Sequence, residues 1–405
     1  MLKVAYICEP QIGGTFVFFT QLRPQLARYG IDFRCIPPIS GSAYANSSYS
    51  KVDGIDFLEF SNEVPVALGQ LIRHLEDQHF RAVLILPGCD PLGTSLPAYL
   101  PAHIGCAAKI PHNGRGTYLP TQEFEPYIDQ IAPVNHLLAE DLIQRYGIPE
   151  EKVHVVFIGI DPIHFRYVER HPEPNRPLRL AVVGRLEDLQ KNVLCLPAIV
   201  SETIKQGVQV HCMVAGQGPD ANRLKKRIEE FGLESRFTLA GAAPYEQMPK
   251  LLQNSDVFLM PTRFEGCPHA LLEGMSTGCV PVVSNLRGTL DQIVEHGRSG
   301  FLIKLGDVHG FAEAISFLAK NPEVRDQMSI QARQVVADRF TVASMAEAYA
   351  TVLKQSIDNP SPLPLPCPMA QYRHPRSAAP TWRRWIPMPV KKIVRTLYGR
   401  LGRSI

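Results

Sequence analysis

At 405 residues, with 45% hydrophobic and 20% charged content, the chain is too long for one ordinary domain and too apolar for disorder. No apolar run reaches the roughly 20 residues of a membrane-spanning helix, and MLKVAYICEP reads as a first strand rather than a signal peptide, so a cytoplasmic location is expected. Nine cysteines without CxxC pairs point to reduced thiols rather than disulfides or zinc, and the net charge of +3 is uneven: residues 359–405 hold nine Lys or Arg and no Asp or Glu, leaving 33 basic against 39 acidic residues before them.

In chain order, the strand KVAYICEP leads to a helix from about Thr15 to Tyr29 closed by Gly30, then to the strand IDFRCIPP. The helical VALGQLIRHLEDQHF, the strand AVLILPG, the helix HLLAEDLIQRYG closed by Gly147 and the strand KVHVVFIG follow. RYVERHPEPNRPL, residues 166–178, breaks both periodicities with three prolines and a run of charges, and marks a linker. The rhythm restarts with LRLAVVGRL, LPAIVSETIKQG, QVHCMVAGQG, ANRLKKRIEEFG and RFTLAG. It continues through MPKLLQNS, DVFLMPT, VPVVSN and FLIKLG. Alternating strands and helices predict an α/β protein of two facing, doubly wound, Rossmann-like domains, over 1–170 and 171–340, with a C-terminal helix over 341–358. Ligands of such sheets collect in loops at the C-terminal strand ends.

Chemistry-bearing residues fall in those loops. In RFEGCPHALLEGM, Pro268 suits the first position of a helix, placing Glu265 in the preceding loop and Glu273 about a turn and a half inside. Two helical residues eight steps apart would lie roughly 80° and 12 Å apart, so the pair cannot share one proton or one small metal ion. Flanking a helix N-terminus, it suits a phosphate with hydroxyls on either side. Arg185 and Lys191, after the strand RLAVVG, can neutralise a diphosphate, although two solvated surface charges explain the spacing as well. Gly13 and Gly14 in PQIGGTF let the backbone approach a ligand, or make an ordinary tight turn, and Thr15 can cap the helix behind them. His112 in KIPHNGRG ends a strand of the first domain and is a candidate site residue. VAGQGPDANRL fits GxGxxA, but the next strand ends without the acidic residue that a dinucleotide site requires. No DxD occurs, so charge neutralisation without a metal, and without a cofactor, is expected.

Taken together and in order, VVGRLEDLQKNV, VAGQGPDANRLKKRIEEFGL, RFTLAGAAP, NSDVFLMPTRFEGCPHALLEGMSTGCVPVVSN and EHGRSGFLI resemble the donor-binding domain of the retaining GT-B glycosyltransferases of family 4, from about Leu178 to Phe340. IGGTFVFFTQLRPQLARYG and LAEDLIQRYGIPEEKVHVVFIGID carry a looser resemblance in the first domain. It implies sugar transfer from a nucleotide-diphosphate donor, with retention, to a glycan, glycolipid or other hydroxyl acceptor. By the same resemblance, Arg185 and Lys191 bind the diphosphate and Glu273 the donor ribose. Glu265, with the backbone of Cys267, Pro268 and His269, would hold the donor sugar and stabilise charge at the anomeric carbon. Gly13 and Gly14 would lie near the phosphate and His112 near the sugar. The loop from Arg185 to Lys191 is one residue longer than is usual, and Ile158 stands where the family commonly has Asn. The alternative is a non-catalytic sugar-nucleotide or glycan-binding protein of the same fold.

Seven prolines in 359–381 read as a linker. Beyond it, Val390, Ile393, Val394, Leu397 and Leu401 fall at helical spacing, with Lys391, Lys392, Arg395 and Arg403 largely elsewhere on the wheel. Residues 382–405 therefore suit the anionic cytosolic face of a membrane, or the protein's own acidic body, and no nucleic-acid partner is expected.

Overall fold

The computed structural model describes residues 1–10, 14–44, 47–169, 176–358 and 366–376. Gly13 and the basic segment 382–405 lie outside the described residues. The chain forms two units, one of residues 1–157 and 342–405 and one of Ile158–Thr341.

Unit 1 alternates β1 (Leu2–Ile7), α1 (Gly14–Leu26), β2 (Ile31–Ile36), α2 (Val64–Asp77), β3 (Phe80–Ile85), α3 (Pro91–Ser95), β4 (Gly105–Ile110), α4 (Arg115–Phe124), β5 (Gln130–Pro133) and α5 (His136–Glu140). The strands pair in parallel in the order β2-β1-β3-β4-β5. Such strands are covered on both faces, which is why they read as continuous apolar runs. Gly30 closes the first helical segment in the left-handed region at φ 76°, and Gly147 follows α5 and a wider turn at φ 68°. Thr15 sits inside the first turn of α1 rather than at its cap. KVHVVFIG forms no strand: Val153 alone bridges, to Ile131, and two backbone bonds, from His154 N–H to Ile131 O at 2.8 Å and from Val156 N–H to Pro133 O at 2.9 Å, lay it along the open edge of β5.

Unit 2 holds β6 (Leu178–Val183), α6 (Asp188–Lys191), α7 (Leu196–Lys205), β7 (Val210–Ala215), α8 (Ala221–Glu230), β8 (Phe237–Gly241), α9 (Met248–Gln253), β9 (Val257–Met260), α10 (His269–Ser276), β10 (Val280–Ser284), β11 (Phe301–Ile303), α11 (Val308–Lys320) and α12 (Pro322–Arg339). Its parallel sheet runs β11-β10-β9-β6-β7-β8, so strand order reverses between β6 and β9. That junction is tied at its base. The Asp256 carboxylate, 0% exposed, accepts two bonds of 3.0 Å from the Arg176 guanidinium and one of 2.8 Å from Arg179 N–H. Leu180, Val210, Cys212, Val257, Leu259, Val280 and Val282 fill the core below.

The break between units falls at Phe157/Ile158, ahead of the proline-rich 166–178 stretch. Residues 158–168 pack on unit 2: Phe165 is fully buried, its carbonyl accepts from Ser276 Oγ at 2.7 Å, and His164 stacks on Tyr245. The helix at the end, α13 (Val342–Asp358), belongs to unit 1, where Tyr349 meets Phe18 edge-on at 5.1 Å. Part of the stretch read as a linker is also fastened to unit 1. Cys367 N–H donates to Ala98 O at 2.8 Å and Arg376 N–H to Glu123 Oε1 at 2.7 Å.

Candidate active site

The reversal between β6 and β9 leaves two loops side by side at the C-terminal edge of unit 2, the position where open parallel sheets bind ligands. The loop after β6 carries Gly184, Arg185 and the one-turn helix α6, which ends in Lys191; Asn192 follows in the left-handed region at φ 52°. The loop after β9 carries Thr262, Arg263, Phe264 and Glu265, and leads into α10.

Glycines let a third loop, the one after β7, press against the first. A Cβ on Gly216 would lie 1.8 Å from Gly184 O, and one on Gly218 would lie 2.3 Å from Leu186 O. The GxG that imitates a dinucleotide fingerprint is therefore a backbone-to-backbone contact. Asp220 Oδ2, at the end of that loop, accepts from Asp188 N–H at 2.8 Å, holding the start of α6.

Lys191 and Glu265 meet directly. Nζ donates to Oε1 at 2.6 Å, with side chains 19% and 6% exposed, and Thr262 Oγ1 approaches the same oxygen at 2.9 Å. The Lys191 ammonium also lies 3.9 Å from where a Gly184 Cβ would stand, beside the end of β6. Arg185 is more open, 66% exposed, with Nε 3.5 Å from Glu187 Oε2.

Pro268 is the N-cap of α10 rather than its first residue, and its carbonyl accepts from Leu271 N–H at 3.1 Å. Proline with an extended ψ of 110° suits this boundary, and helical geometry begins at His269. Cys267 and Pro268 are buried and His269 half-buried beside Glu265 in the chain. Gly274 presses α10 onto β9, since a Cβ there would sit 2.6 Å from the Phe258 ring. Glu273 is 6% exposed, its side-chain carboxyl has no hydrogen-bond or ion partner among the described residues, and burial pushes that carboxyl up to about 7.

The structure thus gathers Arg185, Lys191, Glu265, Cys267, Pro268, His269 and Glu273 on adjoining loops and one helix of unit 2. Gly14 and His112 belong to unit 1, at the starts of the segments that follow β1 and β4. His112 is exposed, its Nδ1 is 3.3 Å from Thr117 Oγ1, and partial desolvation holds its pKa below the ordinary value. The sequence reading missed Thr262, Gln190, Asn192 and Arg263, which join the two loops. Nothing in a linear sequence pairs residues more than 70 positions apart. Among the described residues, no group of three or more His, Cys, Asp or Glu is placed to hold a metal ion, and no helix is long and apolar enough to cross a membrane.

Residues 165–335 match the sequence family glycosyl transferases group 1. The amylovoran biosynthesis glycosyltransferase AmsK of Erwinia amylovora is 29% identical over 232 residues, 56% of each chain. The N-acetyl-alpha-D-glucosaminyl L-malate synthase of Bacillus anthracis is 23% identical over 376 residues, 87% of this chain and 96% of that protein. The chain spans about half the length of the first curated relatives it matches. Two solved structures share its fold: a glycosyltransferase from Rickettsia africae (TM-score 0.72, 13% identity, 88% of this chain and 99% of that one) and Anabaena Alr3699/HepE in complex with UDP (0.69, 15%, 88% and 100%). With two parallel-sheet, Rossmann-like units the chain has the GT-B fold, and residues 165–335 within it are similar to glycosyl transferases group 1.

Proposed function

We propose that the chain is a retaining glycosyltransferase that moves a sugar from a nucleotide-diphosphate donor to a hydroxyl of a glycan or lipid-linked acceptor, without a metal or cofactor. One observation carries this reading: two cations and two buried carboxylates share the loops and helix at the strand reversal of unit 2. Arg185 and Lys191 take the diphosphate, helped by the N-terminal end of α10, whose peptide dipoles favour an anion. Glu273 accepts from the ribose hydroxyls. Glu265 holds the sugar and faces the positive charge that grows at the anomeric carbon.

As the bond from the anomeric carbon to the phosphate oxygen breaks, its electron pair passes to the diphosphate, where the cations stabilise it. The acceptor oxygen bonds to the same face of that carbon and its proton leaves with the phosphate. His112 is assigned to the sugar and Gly13 and Gly14 to the phosphate. The fold neighbour that holds UDP makes UDP-sugars the first donors to test.

Screening nucleotide sugars by thermal shift identifies the donor, since a ligand at 100 times its dissociation constant stabilises by about 2.7 kcal/mol. With that donor, Lys191→Ala and Glu265→Gln should each cut turnover strongly in protein that remains folded. Slow donor hydrolysis without acceptor marks an enzyme rather than a binder. Near-normal turnover in both variants overturns the proposal.

A further inference from the structure

We infer that Arg263 is a positioning residue that fixes Lys191 by binding the loop after β9 to the loop after β6; this rests on the reading of Lys191 as a diphosphate-binding cation. Helix α6 is four residues long, far too short to hold its shape unaided. Lys191 is its last residue and Asn192, next to it, adopts a backbone conformation that costs most L-residues energy.

Arg263 supports the backbone on both sides of Lys191. Its N–H donates to Gln190 O at 2.8 Å. Its guanidinium donates through Nη1 to Asp188 O and through Nη2 to Asn192 Oδ1, with Asp188 Oδ2 3.5 Å away. The planar fork reaches the carbonyl three residues before Lys191 and the side chain one residue after it, which a single ammonium does not do at once. Thr262 Oγ1 adds a contact of 2.9 Å to Gln190 O, and Gln190 Nε2 returns one of 3.3 Å to Phe264 O. An isolated surface ion pair would contribute little. Arg263 instead spans two backbone segments, so its removal loosens the platform from which Lys191 extends.

The test is a double-mutant cycle on the full chain, read by calorimetric affinity for whichever of UDP, GDP, ADP, CDP and dTDP binds tightest. Arg263→Ala should weaken binding about tenfold, a fraction of what a charge-assisted contact supplies. Arg263→Lys should not restore it. Lys191→Ala should weaken binding at least as much, and adding Arg263→Ala to it should change the affinity less than twofold. Donor KM should rise while acceptor KM stays constant. Asn192→Gly keeps the left-handed backbone but removes the acceptor Oδ1, and should weaken binding about threefold even where Arg263→Ala misfolds. Additive losses, or full affinity in Arg263→Ala and Asn192→Gly, overturn the inference. Full affinity in Lys191→Ala instead overturns the reading of the site.

Discussion

Removing the Lys191 side chain leaves Glu265 buried without its cation, and the cost is open to measurement without any substrate. At 2.6 Å and an effective dielectric of about 20, the gross attraction between the charges is about 6 kcal/mol. Most of this offsets desolvation, but truncating one partner of a buried pair typically costs about 3–5 kcal/mol. With Lys191 19% exposed, Lys191→Met should fall near the lower end, about 3 kcal/mol. Unit 2 spans Ile158–Thr341, a size at which each kcal/mol moves the melting midpoint by about 2–4 °C, so a fall of about 6–12 °C is expected. Glu265→Gln keeps an oxygen for Thr262 and should cost less. Because Gln needs no cation, the double variant should recover about 2 kcal/mol relative to the sum of the single changes. Calorimetry of the full chain in 0.15 M and 1 M salt provides the assay, since a pair this enclosed is only weakly screened. A coupling below about 0.5 kcal/mol, within the usual scatter of additivity, would refute the reasoning.

Glu273 gives a pH test. Its carboxyl titrates near 7 when folded and near 4.5 otherwise, so below pH 4.5 both states are protonated and no penalty exists. Between 4.5 and 7 only the unfolded state ionises; stability therefore falls with rising pH across that window, by roughly 3 kcal/mol, and levels off above it. Glu273→Gln should remove this component and be the more stable protein at pH 8; equal pH slopes for the two proteins, compared by urea midpoints at pH 5 and 8, would count against it. Gly216→Ala drives a Cβ into Gly184 O and should cost about 3 kcal/mol and nucleotide binding together. Gly232→Ala, at φ 63° in open space, should cost only about 1 kcal/mol, and similar melting points for the two variants would dismiss the close contact.

Periodicity and punctuation made the two sheets legible: apolar runs became strands, and Gly30 and Gly147 closed helices as their position implied. The glutamate pair was legible because its spacing and the intervening proline have local consequences. The adjacency of β6 and β9 was not, since it pairs Leu180 with Val257 and Ala181 with Phe258, residues 77 positions apart. KVHVVFIG misled for the opposite reason: its local pattern suits a strand, but along the open edge of β5 it makes a single bridge and two backbone bonds, too short a ladder to form one. Within the proline-rich 359–381, residues 366–376 are fastened by backbone N–H groups that donate to Ala98 O and to the Glu123 carboxylate, contacts that no composition rule anticipates.

The return of α13 to unit 1 sets a timetable for the nascent chain. The N-terminal sheet is synthesised first, yet the helix that brings Tyr349 against Phe18 emerges only after the whole intervening unit. At 5–20 residues per second, the ribosome takes roughly ten to forty seconds to pass from Phe157 to Val342. Unit 2 can finish folding as it is translated, while its predecessor waits with an apolar face uncovered, the interval in which chaperones have most to protect.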